Sequence, residues 1–480
     1  MSSTGEALAL VHPSSSSPSK PQANPHPWVL IVPFCLPGET IRARVYRSAR
    51  LHSFADLISV VKPNDELRDM ERVRCRYFGS CAGCQYQMLS YEKQLELKQD
   101  VVVKAYQHYS DLPPTSIPTI ESTIGSPLQY GYRTKITPHF DAPPKKLQKN
   151  VEGRPEGRPD WLNIGFNKIG KRTVLDIEEC PIATPVINEE YTKMRKTIEQ
   201  KIYTYKKGVS LLLRDSLEIP PPKEPEVQQP TESEPTPQEP TETSTISSLT
   251  SALEKHVCIT DHKATVRERV GDTVFDYTAG SFFQNNNSVL VPLTSYVRDA
   301  IFPPSSSDPD LLAAANSKKP TNLVDAYCGA GLFALTLAPY FTHVSGIELS
   351  TASIASATSN AAMNSLSHVA TFLSGDAADI FAKVQGFERD ETVVIIDPPR
   401  KGCDERFLKQ LIGFGASKVV YVSCNVHTQA RDVGWVVRTT AEEQERGERK
   451  GRYVLESLRG FDLFPQTAHV ESVAVLKLEE

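Results

Sequence analysis

At 480 residues and 39% hydrophobic content, the chain is long enough for two to four packed domains. No apolar run approaches the roughly 18 residues of a membrane span, and no basic start is followed by an apolar stretch. These features exclude a membrane partner and predict a soluble intracellular protein of the cytoplasm, nucleus or mitochondrion. The nine cysteines are odd in number and scattered, unlike a secreted disulfide framework. The thiols are therefore expected to be reduced and available for chemistry or metal.

The net charge of −5 is local. Between Pro221 and Ser244 one lysine faces six glutamates among many prolines, the composition of a disordered acidic insertion. From Tyr132 to Arg172, by contrast, ten cations face four acids and are interleaved with Tyr132, Phe140 and Trp161. A solvated loop is the ordinary meaning of such a run, yet basic residues mixed with aromatic rings also follow an RNA backbone.

In chain order, residues 1–70 alternate short β-like runs with turn residues such as Pro37-Gly38, which predicts a small OB-like barrel carrying a Ser/Pro-rich insertion. Residues 71–110 hold Cys75, Cys81 and Cys84 and then a linking helix with Tyr91, Leu95, Val102 and Tyr106 on one side. Residues 120–280 are again β-rich, with the acidic insertion 221–244 inside them. From 285 to 480 strands alternate with helices, which predicts a parallel, Rossmann-like sheet and makes the whole a multidomain α/β protein.

The first strand of this last region gives the clearest motif, TNLVDAYCGAGLFALTLAP. An apolar run ends at Asp325, a turn carries Gly329 and Gly331, and a helix follows; glycines there let a ligand approach the backbone. Glu348 ends the next apolar stretch about 20 residues on, where a carboxylate accepts hydrogen bonds from ribose hydroxyls. The pattern fits a dinucleotide or S-adenosyl-methionine, and the absent third glycine shifts the weight to the methyl donor. Two further strand ends follow, Asp397 in TVVIIDPPRKG and Cys424 in VVYVSCN. A lone cysteine is usually one more small buried hydrophobe, but at the carboxyl end of a parallel strand a thiol faces the ligand crevice. The two last β-like runs suit a closing antiparallel hairpin, and Glu471 opens the second of them.

The set SFFQNN, DAYCGAG, GIELS, IIDPPRKG, YVSCN and FPQTAHVES, in this order, resembles the RNA (uracil-5)-methyltransferase family that acts on tRNA and ribosomal RNA. The resemblance extends upstream through YGYRTKITPHF and the cysteine cluster to a stretch similar to a TRAM domain, and the YEKQLELKQDVVVKAY segment is most like fungal enzymes that make 5-methyluridine at position 54 of the tRNA T-loop. It implies a class I methyltransferase sheet, a β-rich central RNA-binding domain and an N-terminal TRAM barrel, with tRNA as partner to a monomer. It puts Gln284, Tyr327, Glu348 and Asp397 on donor-binding positions, Cys424 on the nucleophile and Glu471 on the general base. Leu332 departs from the pattern, because some bacterial members carry an asparagine there.

The chemistry matches those residue types. Uracil C5 attacks a methyl sulfonium only after a nucleophile adds to C6, and a thiolate suits that addition. A carboxylate then takes the C5 proton and the thiolate is eliminated. The base must be extruded into the pocket, supported by Phe282 or Phe283 beside Gln284. Cys75, Cys81, Cys84 and Cys180 form a four-thiol set that suits zinc or an iron-sulfur cluster, and the resemblance favours [4Fe-4S]. The same chemistry on ribosomal RNA, or a non-catalytic tRNA-binding or folding factor, are the competing expectations.

Overall fold

A computed structural model describes residues 1–11, 28–149, 157–219, 254–303, 319–375, 381, 384 and 386–480. The serine-proline tract and the acidic stretch 221–244 lie outside the described residues. No described helix is long and apolar enough to cross a membrane.

The N-terminal strands form a four-stranded sheet in the order Ala7–Val11, Trp28–Val32, His52–Lys62, Thr40–Ser48. Ala7, Val32, Cys35 and Ala55 bury its small core. Next comes the helix Tyr91–Tyr109, begun by Ser90, whose side chain accepts from the Lys93 N–H. Its buried positions are Gln94, Lys98, Val102, Ala105 and Tyr106. The expected stripe holds: Val102 and Tyr106 are fully buried, Tyr91 and Leu95 pack half-buried against Gly125, the Tyr91 hydroxyl accepting from the Ser126 N–H at 2.6 Å, and the polar Gln94 and Lys98 are buried beside them.

The middle of the chain builds small antiparallel sheets. Lys135–Ile136, Leu213–Leu217 and His256–Ile259 form one, and His139–Phe140, Ile164–Asn167, Val174–Asp176 and Val209–Ser210 form another. The helix Pro185–Lys201 closes their core through Ile187, Tyr191 and Ile198. The hairpin Thr265–Val270 and Thr273–Thr278 leads to the last region.

There the strands form one eight-stranded sheet in the order Ala370–Ser374, His343–Glu348, Asn322–Ala326, Thr392–Ile396, Lys418–Ser423, Glu471–Glu479, Arg452–Phe461, Glu121–Ile124. The first five run parallel, and Glu471–Glu479 is antiparallel to both of its neighbours. Asn322–Ala326 and Thr392–Ile396 are buried throughout, as strands covered on both faces must be. The edge strand Glu121–Ile124 comes from the segment expected to open a separate central domain, so the sheet borrows from about 200 residues upstream of its own first parallel strand. The helix Tyr91–Tyr109 packs against Val426–Glu445 so closely that a Cβ at Gly434 would fall 1.8 Å from the Ser110 carbonyl oxygen.

Candidate active site

The strand order reverses at Asn322–Ala326, with His343–Glu348 on one side and Thr392–Ile396 on the other. Crossovers then leave in opposite directions and open a crevice at the carboxyl ends of the two central strands. Tyr327 leaves the first of these with φ 66°, and the N–H groups of Tyr327 and Cys328 donate to the Ile347 carbonyl at 2.9 and 3.1 Å. Gly329 and Gly331 continue the turn with φ of 54° and 95°. A Cβ at Gly329 would meet nothing within 4 Å, which leaves open space above the turn. Glu348 ends the adjoining strand, one oxygen accepting from the Ser350 N–H at 2.9 Å. Asp397 follows Thr392–Ile396 and its N–H donates to the Ala326 carbonyl at 3.4 Å. Tyr327, Glu348 and Asp397 thus share one crevice. Beneath them Asp325 accepts from the Ala334 N–H at 2.9 Å with one oxygen, while the other has no hydrogen-bond partner among the described residues.

Cys424 and Glu471 meet through the ladder. Ser423 pairs with Ser472 in the antiparallel register between Lys418–Ser423 and Glu471–Glu479, so continuing the register by one residue sets Cys424 opposite Glu471. Side chains directly opposite on such a ladder lie about 5 Å apart at Cβ. Glu471 is 3% exposed. Burial, followed by repulsion from Asp397, pushes its carboxyl up to about 8, against the pull of Arg400. Burial alone pushes Asp397 up to about 7. Asp325 rises to about 8, mainly by burial, with Asp397 and Glu348 adding repulsion. Burial and the charges of Glu471 and Asp397 raise the Cys424 thiol to about 11, opposed by the charge and hydrogen bond of Arg400.

These raised carboxyls have a stability consequence. The folded chain keeps a proton on Glu471 that the unfolded chain gives up from about pH 4.5, so this group's contribution becomes less favourable as pH rises from about 5 to 8. The Tm difference between Glu471→Gln and wild type should therefore move in favour of the variant across that range. A difference that is constant with pH would show that Glu471 is ionised throughout.

Sequence reasoning missed the residues that hold these groups. Arg400, in DPPRKG, is a cation beside both Cys424 and Glu471. His469 is kept neutral, pushed down to about 4 by burial and by Arg400, Lys98 and Arg133. The loop between Phe461 and Glu471 is fixed from several sides. The buried Lys98 ammonium pairs with Asp462 and donates to the Phe464 carbonyl at 3.1 Å, Gln94 exchanges two hydrogen bonds with Gln466, and Tyr132 donates to the Pro465 carbonyl at 3.0 Å. Asn286 donates to the Leu463 carbonyl at 3.1 Å, tying this loop to the Gln284 loop. The signal was present only as polar residues on an otherwise apolar helix face.

Gln284 is buried, with Phe282 and Phe283 before it. Phe283 is consumed by the core, stacked on Tyr277 at 4.6 Å between centroids, whereas Phe282 is 73% exposed. The fully buried Arg214 sets this loop by donating to the carbonyls of Ser281 and Phe283 at 3.1 and 3.4 Å. The expectation that Tyr132, Phe140 and Trp161 present rings to RNA is corrected here. Tyr132 and Phe140 are core residues, and Trp161 packs against Tyr203 in the same interior. Phe140 is turned inward on the short strand His139–Phe140, and Tyr132 is buried and Trp161 half-buried from segments outside the strands.

Cys75, Cys81, Cys84 and Cys180 come together from two segments, joined where Cys81 bridges Lys168 and the Ala82 N–H donates to the Asn167 carbonyl at 3.1 Å. Burial raises Cys84 to about 12 and Cys180 to about 11, and in both cases other thiols of the set add to the rise. The four therefore share one region. Among the described residues, however, no three Cys, His, Asp or Glu side chains stand at metal-ligand spacing.

A parallel sheet closed by an antiparallel hairpin, with a glycine turn and acidic strand ends at its switch point, is the architecture of a Rossmann-like methyltransferase. The Pyrococcus abyssi tRNA (uracil-54, C5)-methyltransferase, solved with S-adenosyl-L-homocysteine, has a similar fold over 94% of this chain and 96% of its own, with a TM-score of 0.60 at 23% identity. Residues 246–479 match the family model for tRNA (Uracil-5-)-methyltransferase. The tRNA (uracil(54)-C(5))-methyltransferase of Schizosaccharomyces pombe is 43% identical over 449 residues, covering 94% of this chain and 73% of that protein. Its Saccharomyces cerevisiae counterpart is 38% identical over 491 residues, covering 99% and 72%. The chain belongs to the tRNA (uracil-5-)-methyltransferase family.

Proposed function

We propose that the protein methylates C5 of uridine 54 in the T-loop of tRNA with S-adenosyl-methionine as donor. The single observation carrying this reading is the ladder that sets the Cys424 thiol opposite a buried carboxyl, Glu471, beside the switch-point crevice. The open space over Gly329 and the carboxylates around it fit a cationic nucleoside donor. Glu348 would accept from its ribose hydroxyls, Tyr327 and Asp397 would line its pocket, and Gln284 would close it. The donor supplies an electrophilic methyl group.

Arg400 favours the thiolate of Cys424, which adds to uracil C6 and pushes the ring electrons toward C5. C5 takes the methyl group, and Glu471 then removes the C5 proton. The electrons of that C–H bond re-form the C5–C6 double bond as sulfur leaves. Burial makes the Glu471 carboxylate a stronger base for this proton removal than an exposed one, and the charge of Arg400 favours the ionised form that the step requires. Exposed Phe282 is suited to fill the stack as the uridine is drawn out. The four-stranded N-terminal sheet acts as a TRAM-like RNA-binding module, the middle region as an RNA-binding domain and residues 285–480 as the methyltransferase domain of a monomer. The four-cysteine region holds a [4Fe-4S] cluster with a structural role, zinc being the other metal its donors suit.

Incubation with labelled donor and total RNA, followed by mapping, should put the label on uridine 54 of tRNA. Label confined to ribosomal RNA would move the substrate, and no label on any RNA would overturn the enzymatic reading. Protein purified without oxygen should be brown, with about four iron atoms per chain, and Cys81→Ala should lose both. Colourless protein with stoichiometric zinc would reverse the choice of metal.

A further inference from the structure

Two half-buried cations, Arg133 and Lys135, and the fully buried Arg214 behind them are gathered with too little counter-charge. Lys135 lies directly opposite Arg214 in the antiparallel ladder. Tyr132, Thr134 and Ile136 are the buried positions, so alternation puts Arg133 on the same face as Lys135. Like charges opposed across a ladder are destabilising. Arg214 has Glu268 at 3.7 Å, but burial holds that carboxyl above its ordinary range and weakens it as a counter-charge. Among the described residues neither Arg133 nor Lys135 forms an ion pair; the Arg133 Nε–H donates to the Lys135 carbonyl at 3.0 Å, which holds the guanidinium beside the ammonium's own residue. Burial, with Arg214 and Arg133, pushes the Lys135 ammonium below its ordinary pKa.

The position of this cluster is specific. The Thr134 N–H donates to the Asn285 carbonyl at 2.9 Å, which locks the Arg133–Lys135 segment against the loop carrying Phe282 and Gln284. The Arg133 guanidinium lies 5.6 Å from the Phe464 ring centroid, and that ring meets His469 edge-on at 5.0 Å. The cations therefore flank the entrance between the Gln284 loop and the loop leading to Glu471. A fold that retains such opposition at a crevice mouth keeps a cost that an anionic ligand would offset.

We infer that Arg133 and Lys135 form a phosphate-binding pair that grips the RNA backbone at the nucleotide drawn into the crevice. The inference rests on the RNA-methylating function proposed above. It goes beyond a generally basic surface, because it assigns one backbone phosphate to two half-buried residues and predicts that they destabilise the free protein.

The test is Lys135→Gln, with Arg133→Gln as a second variant, measured by binding to a T-arm RNA over a series of salt concentrations. Each variant should bind RNA about tenfold more weakly at physiological salt, and the slope of log affinity against log salt should fall by about 0.7 to 0.9. The affinity for the methyl donor should not change. Lys135→Gln should also raise the Tm of the RNA-free protein, a sign opposite to that of a structural role. Replacing the phosphate next to the target uridine by a neutral methylphosphonate should weaken wild-type binding but cost Lys135→Gln nothing further. Unchanged RNA affinity and salt slope would overturn the proposal. So would weakened donor binding with RNA binding intact, which would assign the pair to the donor's carboxylate. If wild type methylates no RNA at all, the functional reading fails instead, and the two failures are distinguishable.

Discussion

A Glu471→Gln variant mixed with T-loop RNA and methyl-labelled donor should yield a protein–RNA adduct that survives denaturing electrophoresis as a slow, labelled band. Glutamine keeps the size and hydrogen-bonding capacity of the side chain but cannot accept the C5 proton. Addition by Cys424 and methyl transfer precede that step, so the reaction should stop with methylated RNA still bonded to sulfur. Turnover should fall by about 10²- to 10⁴-fold, the scale of a lost general base. The adduct should be absent from the Cys424→Ser, Glu471→Gln double variant. Release of free methylated RNA at the wild-type rate would remove Glu471 from the mechanism and require another group, with Asp397 the nearest carboxyl candidate.

Cys424→Ser should have the larger effect on turnover and leave a different trace. A serine hydroxyl is too weak a nucleophile for conjugate addition to uracil C6, so methyl transfer should fall by at least ~10⁴-fold, as when a covalent nucleophile is removed elsewhere. No adduct should form. Donor affinity, measured by calorimetry, should stay within about twofold, because the donor pocket is lined from other strand ends. Retained turnover would sink the covalent role, and lost donor binding would show that the thiol shapes the pocket. Arg400 sharpens this test, since its charge and hydrogen bond favour ionisation of the thiol.

Much of this site was legible because its chemistry sits at strand ends. Asp325, Glu348, Asp397 and Cys424 each follow a short apolar run, and period and turn chemistry alone locate them. Glu471 was not legible in isolation. A glutamate at a strand start is ordinarily solvated, and only the register Ser423–Ser472 turns it toward the thiol. Lys98 and Gln94 were illegible for a related reason, because polar residues on a helix read as solvent-facing until the loop they hold packs over them. The rings of the basic stretch were misread, since Phe140 is buried by the pairing of a two-residue strand and Tyr132 by the distant loop whose Pro465 carbonyl it meets, neither of which a local pattern announces. The edge strand Glu121–Ile124 was missed because its partner Arg452–Phe461 lies more than 300 residues away.

The position of Glu471–Glu479 bears on when the enzyme becomes active during folding. It is the last strand of the sheet in chain order, yet it lies in the interior, between Lys418–Ser423 and Arg452–Phe461. The parallel strands can associate before it arrives, but Lys418–Ser423 and Arg452–Phe461 are joined only when it inserts between them. Until then Cys424 lacks the carboxyl proposed as its base. Insertion of one strand thus completes the core and the proposed catalytic pair together, so that on this proposal catalytic competence reports on finished folding and an incompletely folded molecule could not release RNA from a premature attachment.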